Sequence, residues 1–570
     1  MNTSTNAARY YIIKTMVVRA LAFFACSLSG TWALGQNTVG TLFYQNNADT
    51  GYLLMAPAVS DDTWLIDNCG REVHRWTADA PPALSAYLLD DGSLLRPSKV
   101  SNTFDAGGSG GRVDRILWDG LNVWTFLYSS DTGHQHHDVQ PLPNGNVLVL
   151  AWEKHSAAEA IALGRRPETV PDELWSEKIV ELRPTGPTSA EFVWSWRLWD
   201  HLIQDQDPLK PNFGNPADHP ERVDINYLLD EGLATLRDWT HANSVDYHAG
   251  LDQILISVRN FHEVWILDHS TTRAEAAGST GGNSGMGGDL LYRWGNPQAY
   301  GRGTAADQVF YQQHDAAWVP EGYPGQGNIT VFNNGKGRPE GAFSSVEEFS
   351  PPLASDGSYL LAPSAPYGPA AAAWTFVADP PGSLNSKNLS GAQRQRNGNT
   401  LLCAGASGDA WEVTPEGSLV WRYVCPVNAG GPVAQGSVPT NNQLFRLPRY
   451  SPSHPGLSGR TLLPGATVQI EAAEPECVIL NTGLDPVTAV QKDFIHPNPF
   501  QDELWINTAV GLNFRLRAVD ATGRLVYDQL LPDGAGPIST ESWPLGLYVL
   551  LLFDPNQHLI GRTTLIKSDR

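Results

Sequence analysis

The sequence predicts an all-β protein: a six-bladed β-propeller followed by a small immunoglobulin-like β-sandwich. Two observations carry this. One unit recurs six times between about residues 45 and 430: strand, Gly-containing turn, strand, gap, strand, turn, Trp-rich strand. The composition agrees, because 19 Trp, 54 Gly and 41 Pro in 570 residues favour many short strands and tight turns over long helices.

The first copy holds GYLLMAP, then TWLIDNCGREVHRW. The second holds AYLLDDGSLLRPS, then RVDRILWDGLNVWTFLY. The third holds HHDVQPLPNGNVLVLAWE, then KIVELRPTGPTSAEFVWSWRLW. The fourth holds HANSVDYHAGLDQILISVR, then EVWILDHS and LLYRWGNP. The fifth holds HDAAWVPEGYPGQGNITVFNNGKG, then SSVEEFSPP and AAAWTFVAD, and the sixth QRQRNGNTLLCAG, then AWEVTPEGSLVWRYVCP. Each copy offers four strands with period-2 patterning. A lone four-stranded sheet cannot cover both of its apolar faces, but six packed radially can. Two β-sandwiches would be the alternative, and the regular recurrence argues against it. The Trp near the end of most copies (Trp76, Trp124, Trp196, Trp294, Trp374, Trp421) reads as packing between blades.

Insertions interrupt the repeats. Residues 155–175 and 200–237 carry helix-like patterns, such as DINYLLDEGLATLRDW, and precede the His241 strand as a potential lid. Residues 273–288 are rich in Gly and Ser and read as a loop.

Residues 1–35 read as a secretory signal. Lys14 and Arg19 precede the apolar stretch Ala20–Leu28, and Ala33-Leu34-Gly35 supplies small residues for cleavage before Gln36. Met16 is an alternative start, and the apolar run is too short and too interrupted for a membrane anchor. The propeller is then expected over residues 36–470, a linker over 471–492 and the sandwich over 493–570, where about seven short strands are patterned.

A formal charge of -22 argues against a nucleic-acid surface and requires any anion site to be locally positive. Beyond the signal stand Cys69, Cys403, Cys425 and Cys477, which permit three pairings in an oxidising compartment and have no CxxC spacing.

The chemistry concentrates on His137, His241 and His314, which occupy equivalent places in the third, fourth and fifth copies. Radial stacking brings equivalent positions to a common axis, with Arg259 near it. A metal cage is one reading, since neutral imidazole is a common ligand. The repeats lack an HExxH motif, and an arginine beside a cation is unfavourable, so no metal is expected. The plain reading, scattered loop histidines, fits His134, His136, His155, His248, His262 and His269. A third reading is an anion site with a histidine nucleophile. Arg259 would bind oxyanions, and the other histidines with Asn243 would donate to growing charge.

The block Asp238-Trp239-Thr240-His241-Ala242-Asn243-Ser244-Val245-Asp246-Tyr247, with Ile254–Arg259 after it, resembles the arylsulfate sulfotransferase family. So do Gln313-His314-Asp315 and Asn397-Gly398-Asn399-Thr400-Leu401-Leu402, within a resemblance over most of residues 50–430. It implies a six-bladed propeller and transfer of a sulfuryl group from a phenolic sulfate ester to a phenol, through a sulfohistidine and without a nucleotide donor or other cofactor. It implies His314 as nucleophile, His137, His241 and Arg259 as catalytic charge-stabilising groups, and Asn243 as substrate-binding. His136 adjoins His137; His137 is preferred because it directly precedes Asp138, as His314 precedes Asp315.

The tail has its own resemblance. Pro497-Asn498-Pro499-Phe500, Thr522-Gly523-Arg524, Leu545-Gly546-Leu547-Tyr548-Val549 and the late Lys567 resemble the C-terminal sorting domain of type IX secretion. That implies the secretion machinery as a partner and a secreted or cell-surface location. A homodimer is left open. The competing functions are a sulfate- or phosphoester hydrolase using the same site, a non-catalytic secreted binding propeller, and a quinone dehydrogenase. The last would need eight blades and acidic calcium ligands.

Overall fold

The computed structural model describes residues 37–227, 237–470, 477, 495–496, 499–506, 513–520, 524–532, 537–553 and 559–568. The expected signal at 1–35 and nearly all of the expected linker at 471–492 lie outside these residues, as does the centre of the helix-like stretch before Trp239.

The described chain is all-β. Each of the six sequence repeats lies in one antiparallel sheet, and in sheets 2 to 5 all the strands are consecutive. Sheet 2 runs from Tyr87–Leu88 to Asn122–Leu127, sheet 3 from Gly133–Pro141 to Ser189–Arg197, and sheet 4 from Ala242–His248 to Tyr292–Trp294. Sheet 5 runs from His314–Trp318 to Trp374–Val377. Sheets 1 and 6 exchange ends of the chain. Sheet 1 takes its first strand, Arg449–Tyr450, from the far side of the sequence, and sheet 6 (Gly391–Arg394 to Leu419–Val424) gains a fifth strand, Gly40–Tyr44.

Polar side chains bind the first strands of the six sheets into a closed circuit. The Asp138 carboxylate accepts from Val245 N (3.2 Å), Asp246 from Trp318 N (2.8 Å), and Asp315 from Ala392 N (3.1 Å). Gln393 Oε1 accepts from Arg449 N (2.8 Å), Leu88 N donates to the Tyr450 hydroxyl (3.0 Å), and the Tyr87 hydroxyl donates to Asp138 (2.8 Å). First strands have no sheet neighbour on that side, so these acceptors satisfy edge N–H groups that would otherwise be buried without partners. Arg446 reinforces the circuit, standing 2.6 Å from Asp138 and 3.3 Å from Asp315.

The late Trp of each repeat pins its sheet to the next one. Indole Nε1 of Trp124 donates to the Ser189 carbonyl, Trp196 to Gly288, Trp294 to Pro369, Trp374 to Pro415 and Trp421 to Asn68. Trp76 differs: its Nε1 has no hydrogen-bond partner, and it meets Trp118 of the next sheet edge-on at 5.3 Å. The indole suits this work because it buries a large apolar face and still presents one donor.

The first insertion contains one short helix, Ala157–Ala162, opened by a Ser156/Glu159 capping box. Around residues 200–225 the chain instead forms short turns and a two-stranded parallel pair, Leu202–Ile203 with Val223–Asp224. The expected loop at 273–288 begins with a helical turn, Arg273–Ala276, because Thr272 and Glu275 form a second capping box.

Among the described residues, seven strands lie in the tail, in sheets of three and four. Their inner faces share a core of Phe500, Leu504, Phe514, Leu516, Trp543, Tyr548, Leu550 and Leu552. The Lys567 ammonium is buried and donates to the Thr540 (2.6 Å) and Trp543 (2.9 Å) carbonyls. Cys69 and Cys477 form a disulfide, while Cys403 and Cys425 are buried free thiols.

Candidate active site

A β-bulge marks each of the first strands of sheets 3, 4 and 5. Registers shift opposite Val149–Ala151, at Ala242–Ser244 and at His314–Ala317. His137 and His241 both have φ of 51°, and Asp315, after His314, has 56°. Non-glycine residues seldom occupy this region, and bulges re-aim side chains. Here they turn the three histidines away from the sheets and towards one another. His137 lies inside its strand, at the bulge, the strand beginning at Gly133.

The imidazoles of His137 and His241 are 4.7 Å apart, centroid to centroid. Phe445 lies 6.3 Å from His137 and 6.5 Å from His314, so all three border one small space. Arg259 follows the second strand of sheet 4, and its backbone N–H donates to the His241 carbonyl (3.2 Å). Its guanidinium donates to Asn260 Oδ1 (2.9 Å) and to Gln312 Oε1. No carboxylate among the described residues forms an ion pair with it, which leaves its charge for a guest. Burial lowers its pKa to about 10, so it stays cationic near neutrality.

Each imidazole is held at Nδ1, by a different kind of partner. His314 Nδ1 stands 2.7 Å from Asn334 Oδ1. The Asn334 amide nitrogen donates to the Ser386 carbonyl (2.8 Å) and the Ser390 hydroxyl (3.1 Å), which orients its oxygen at the histidine. Nδ1 therefore carries the proton, and Nε2 presents a lone pair. His241 Nδ1 bonds the Asp238 carboxylate, which also accepts from Trp152 Nε1 (3.0 Å). His137 Nδ1 faces His136 Nδ1 at 2.9 Å.

Burial, and then the positive charge of Arg259, push the His314 pKa down to about 3. His137 is also held well below 6.5 by burial and by its histidine and arginine neighbours. Both are neutral at pH 7. A neutral imidazole in an electropositive recess can attack an electrophile or donate to an anion.

Asn243 lies beside this group. Its amide nitrogen donates to the carbonyl of Gln313 (2.8 Å), the residue before His314, and its Oδ1 is buried without a partner. The groups that sequence reasoning missed are Asn334, Gln312 and Glu177, while Asp238 and His136 were noted without the roles the structure gives them. Their signals were position alone: Asp238 stands three residues before His241, and His136 adjoins His137. Among the described residues, no cluster of three or more His, Cys, Asp and Glu is arranged to hold a metal ion. A separate cavity of about 230 Å³ is lined by Asp246, Asp315, Trp318 and Arg446 and by none of the three histidines. Convergent rings and an unpaired guanidinium, not cavity size, mark the site.

The chain is similar to a solved protein of unknown function from Bacteroides caccae, at 11% identity and a TM-score of 0.36, over 66% of this chain and 93% of that one. It is also similar to the β-propeller domain of Myceliophteria thermophila Cps50 (Swd1), at 11% identity and a TM-score of 0.33, over 70% and 88%. A streptogramin B lyase gives 8% identity and a TM-score of 0.31, over 68% and 83%. No curated protein matches the chain. The family model for arylsulfotransferase (ASST) matches residues 60–351, the span that holds all three histidines and Arg259, and the chain belongs to that family.

Proposed function

We propose that the protein transfers a sulfuryl group from a phenolic sulfate ester to a phenol, through a sulfohistidine on His314 and without a nucleotide donor. The carrying observation is the convergence of His137, His241 and His314 on one recess with an arginine that has no carboxylate partner. His314 Nε2 attacks sulfur in line with the aryl oxygen. The S–N bond forms as the S–O(aryl) bond breaks, and the electron pair leaves on the phenol oxygen. Arg259, His137 and His241 hold the sulfonate oxygens, whose charge is what the protein must position and neutralise. Asn334 keeps the His314 proton on Nδ1, so the lone pair stays on Nε2. A second phenol then takes the group from His314 and restores the enzyme. Asn243 acts on the same site by binding or by holding the Gln313–His314 backbone.

The six sheets are read as the blades of a six-bladed β-propeller, over residues 36–470, supported by the closed circuit of first strands. The seven-stranded tail, residues 493–570, is read as an immunoglobulin-like sorting domain for type IX secretion, which with a signal at 1–35 gives a secreted or cell-surface enzyme. The motifs of the tail and the buried Lys567 support that reading.

The experiment is an aryl sulfate assayed with and without an added phenol, on wild type and on His314→Asn. The expected result is phenol-dependent release, an acid-labile sulfuryl mass on the peptide that holds His314, and loss of both in the variant. Equal release without phenol would mean hydrolysis. Full activity in His314→Asn would remove the nucleophile assignment.

A further inference from the structure

The geometry points to a proton relay, Glu177–His136–His137, that serves the phenol oxygen in both directions. This inference rests on the sulfuryl-transfer reading above. It starts from a contact between two nitrogens. His136 Nδ1 and His137 Nδ1 are 2.9 Å apart, and such a contact is a hydrogen bond only when one nitrogen carries the proton and the other a lone pair. The far nitrogen of His136, Nε2, stands 3.0 Å from Glu177 Oε2. All three side chains are buried, with relative exposures of 0%, 2% and 0% for His136, His137 and Glu177.

The surroundings fix this chain of contacts. The Trp152 indole stacks on His136, with centroids 4.0 Å apart and planes 11° from parallel, which holds the plane of the ring. The other Glu177 oxygen accepts from the Thr240 hydroxyl (2.9 Å) and from Ala242 N (2.8 Å), so the carboxylate cannot turn away. Gly108 closes the far side. Its carbonyl accepts from His137 N (2.8 Å), and a Cβ on it would fall 2.1 Å from the His137 ring. With Nδ1 engaged, His137 meets a guest through Nε2.

Two states of the pair, which differ by the one proton exchanged with the phenol oxygen, give His137 opposite roles. With the proton on His136 Nδ1, His136 is an imidazolium against the Glu177 carboxylate, and neutral His137 carries its hydrogen on Nε2 as a donor. With the proton on His137 Nδ1, His136 is neutral and Nε2 of His137 holds a lone pair as an acceptor. In the first half-reaction, the S–O(aryl) bond breaks and His137 Nε2–H gives its proton to the departing phenol oxygen. His137 Nδ1 takes the proton of His136 Nδ1, and Glu177 retains the hydrogen bond from His136 Nε2–H. In the second half-reaction the acceptor phenol gives its proton to His137 Nε2, and His137 returns one from Nδ1 to His136. The phenol oxygen forms its bond to sulfur, and the S–N pair goes back to His314. Atoms, electrons and protons balance over the cycle. His241 has no such freedom, because its Nδ1 ends directly on Asp238. His136 and Glu177 are thus positioning residues that act through His137.

The test is a series of aryl sulfates whose departing phenols span a wide range of acidity, assayed with wild type, His136→Asn and Glu177→Gln. General acid assistance matters most when the leaving group is least acidic. The expected result is a loss in kcat of about 100-fold or more for weakly acidic phenols beyond the loss for nitrophenols, with KM little changed. An equal loss across the series overturns the relay and assigns the two residues a structural role. Should Glu177→Gln disturb the fold through Thr240, His136→Gln gives the same readout while keeping a partner for Glu177. Labelling of His314 by the most activated donor checks each variant. A wild type that moves no sulfuryl group fails the earlier reading; a wild type that does, with flat variants, fails this one.

Discussion

The Asn243 amide nitrogen lies 2.8 Å from the carbonyl oxygen of Gln313, so sheet 4 holds the backbone that presents His314 from sheet 5. The resemblance implied Asn243 as a contact for the transferred group; its donor instead reaches the residue just before the His314–Trp318 strand.

Asn243→Ala is therefore expected to misplace His314 more than to weaken donor binding. We expect kcat to fall roughly 10–100-fold, the size usual for lost supporting hydrogen bonds, with KM within a few fold. Single-turnover labelling of His314 checks this, and a KM effect with intact kcat would reassign Asn243 to binding.

Acid should destabilise the fold through its buried neutral histidines. The His314 pKa is about 3, against an ordinary 6.5. A base whose folded pKa is depressed leaves the unfolded chain with more bound protons, so its stabilisation is complete above 6.5 and is lost as pH falls towards 3. Between pH 7 and pH 4, His314→Asn should remove roughly 3 kcal/mol of that acid sensitivity. Denaturant unfolding of both proteins at pH 7 and pH 4 measures the difference. His134 and His262, each near 4, titrate in the same direction and remain in both.

Arg446→Met should be among the most damaging substitutions outside the site. It leaves Asp138 and Asp315 buried without their cation, and breaking one side of a buried ion pair costs about 3–5 kcal/mol. The loss should shrink as pH falls, because burial already holds the Asp315 carboxyl above its usual range and it protonates. Thermal melting across pH 4–8 tests both parts.

Trp196→Phe and Trp76→Phe form a matched pair. The first strands the buried Gly288 carbonyl; the second removes an indole N–H that has no partner. The excess destabilisation of Trp196→Phe should be about 1–3 kcal/mol. Equal losses would mean that indole shape, not its hydrogen bond, joins the sheets.

Much of this was legible in the chain. Period-2 runs and turn residues located the six sheets, since patterning and turn chemistry are local. Equivalent places in successive repeats drew His137, His241 and His314 together, and Arg259 came with the fourth repeat. The second nitrogen of each imidazole was not legible. Asn334 and Glu177 lie 20 and 41 residues from the histidines they serve, in polar positions unmarked by any motif. Asp138 and Asp315, read only as marks beside the histidines, turn out to fasten neighbouring first strands. The exchanged strands Gly40–Tyr44 and Arg449–Tyr450 fall outside the recurring unit, so the repeat pattern does not reveal them. The helical turn at Arg273–Ala276 was missed because Gly and Ser dominate the segment and hide its capping box.

The exchange of chain ends between sheets 1 and 6 also sets an order of assembly. Sheets 2 to 5 each complete within a local stretch of chain, whereas sheet 1 waits for Tyr450 to arrive beside Tyr52. Contacts at such separation carry the largest loop-closure entropy and form late. Until then the Tyr52–Met55 edge stays open to any other strand, a hazard for a partly made chain. Once closed, sheet 1 comes apart only by giving up that distant pairing, so its resistance to unfolding is a matter of rate as well as of equilibrium.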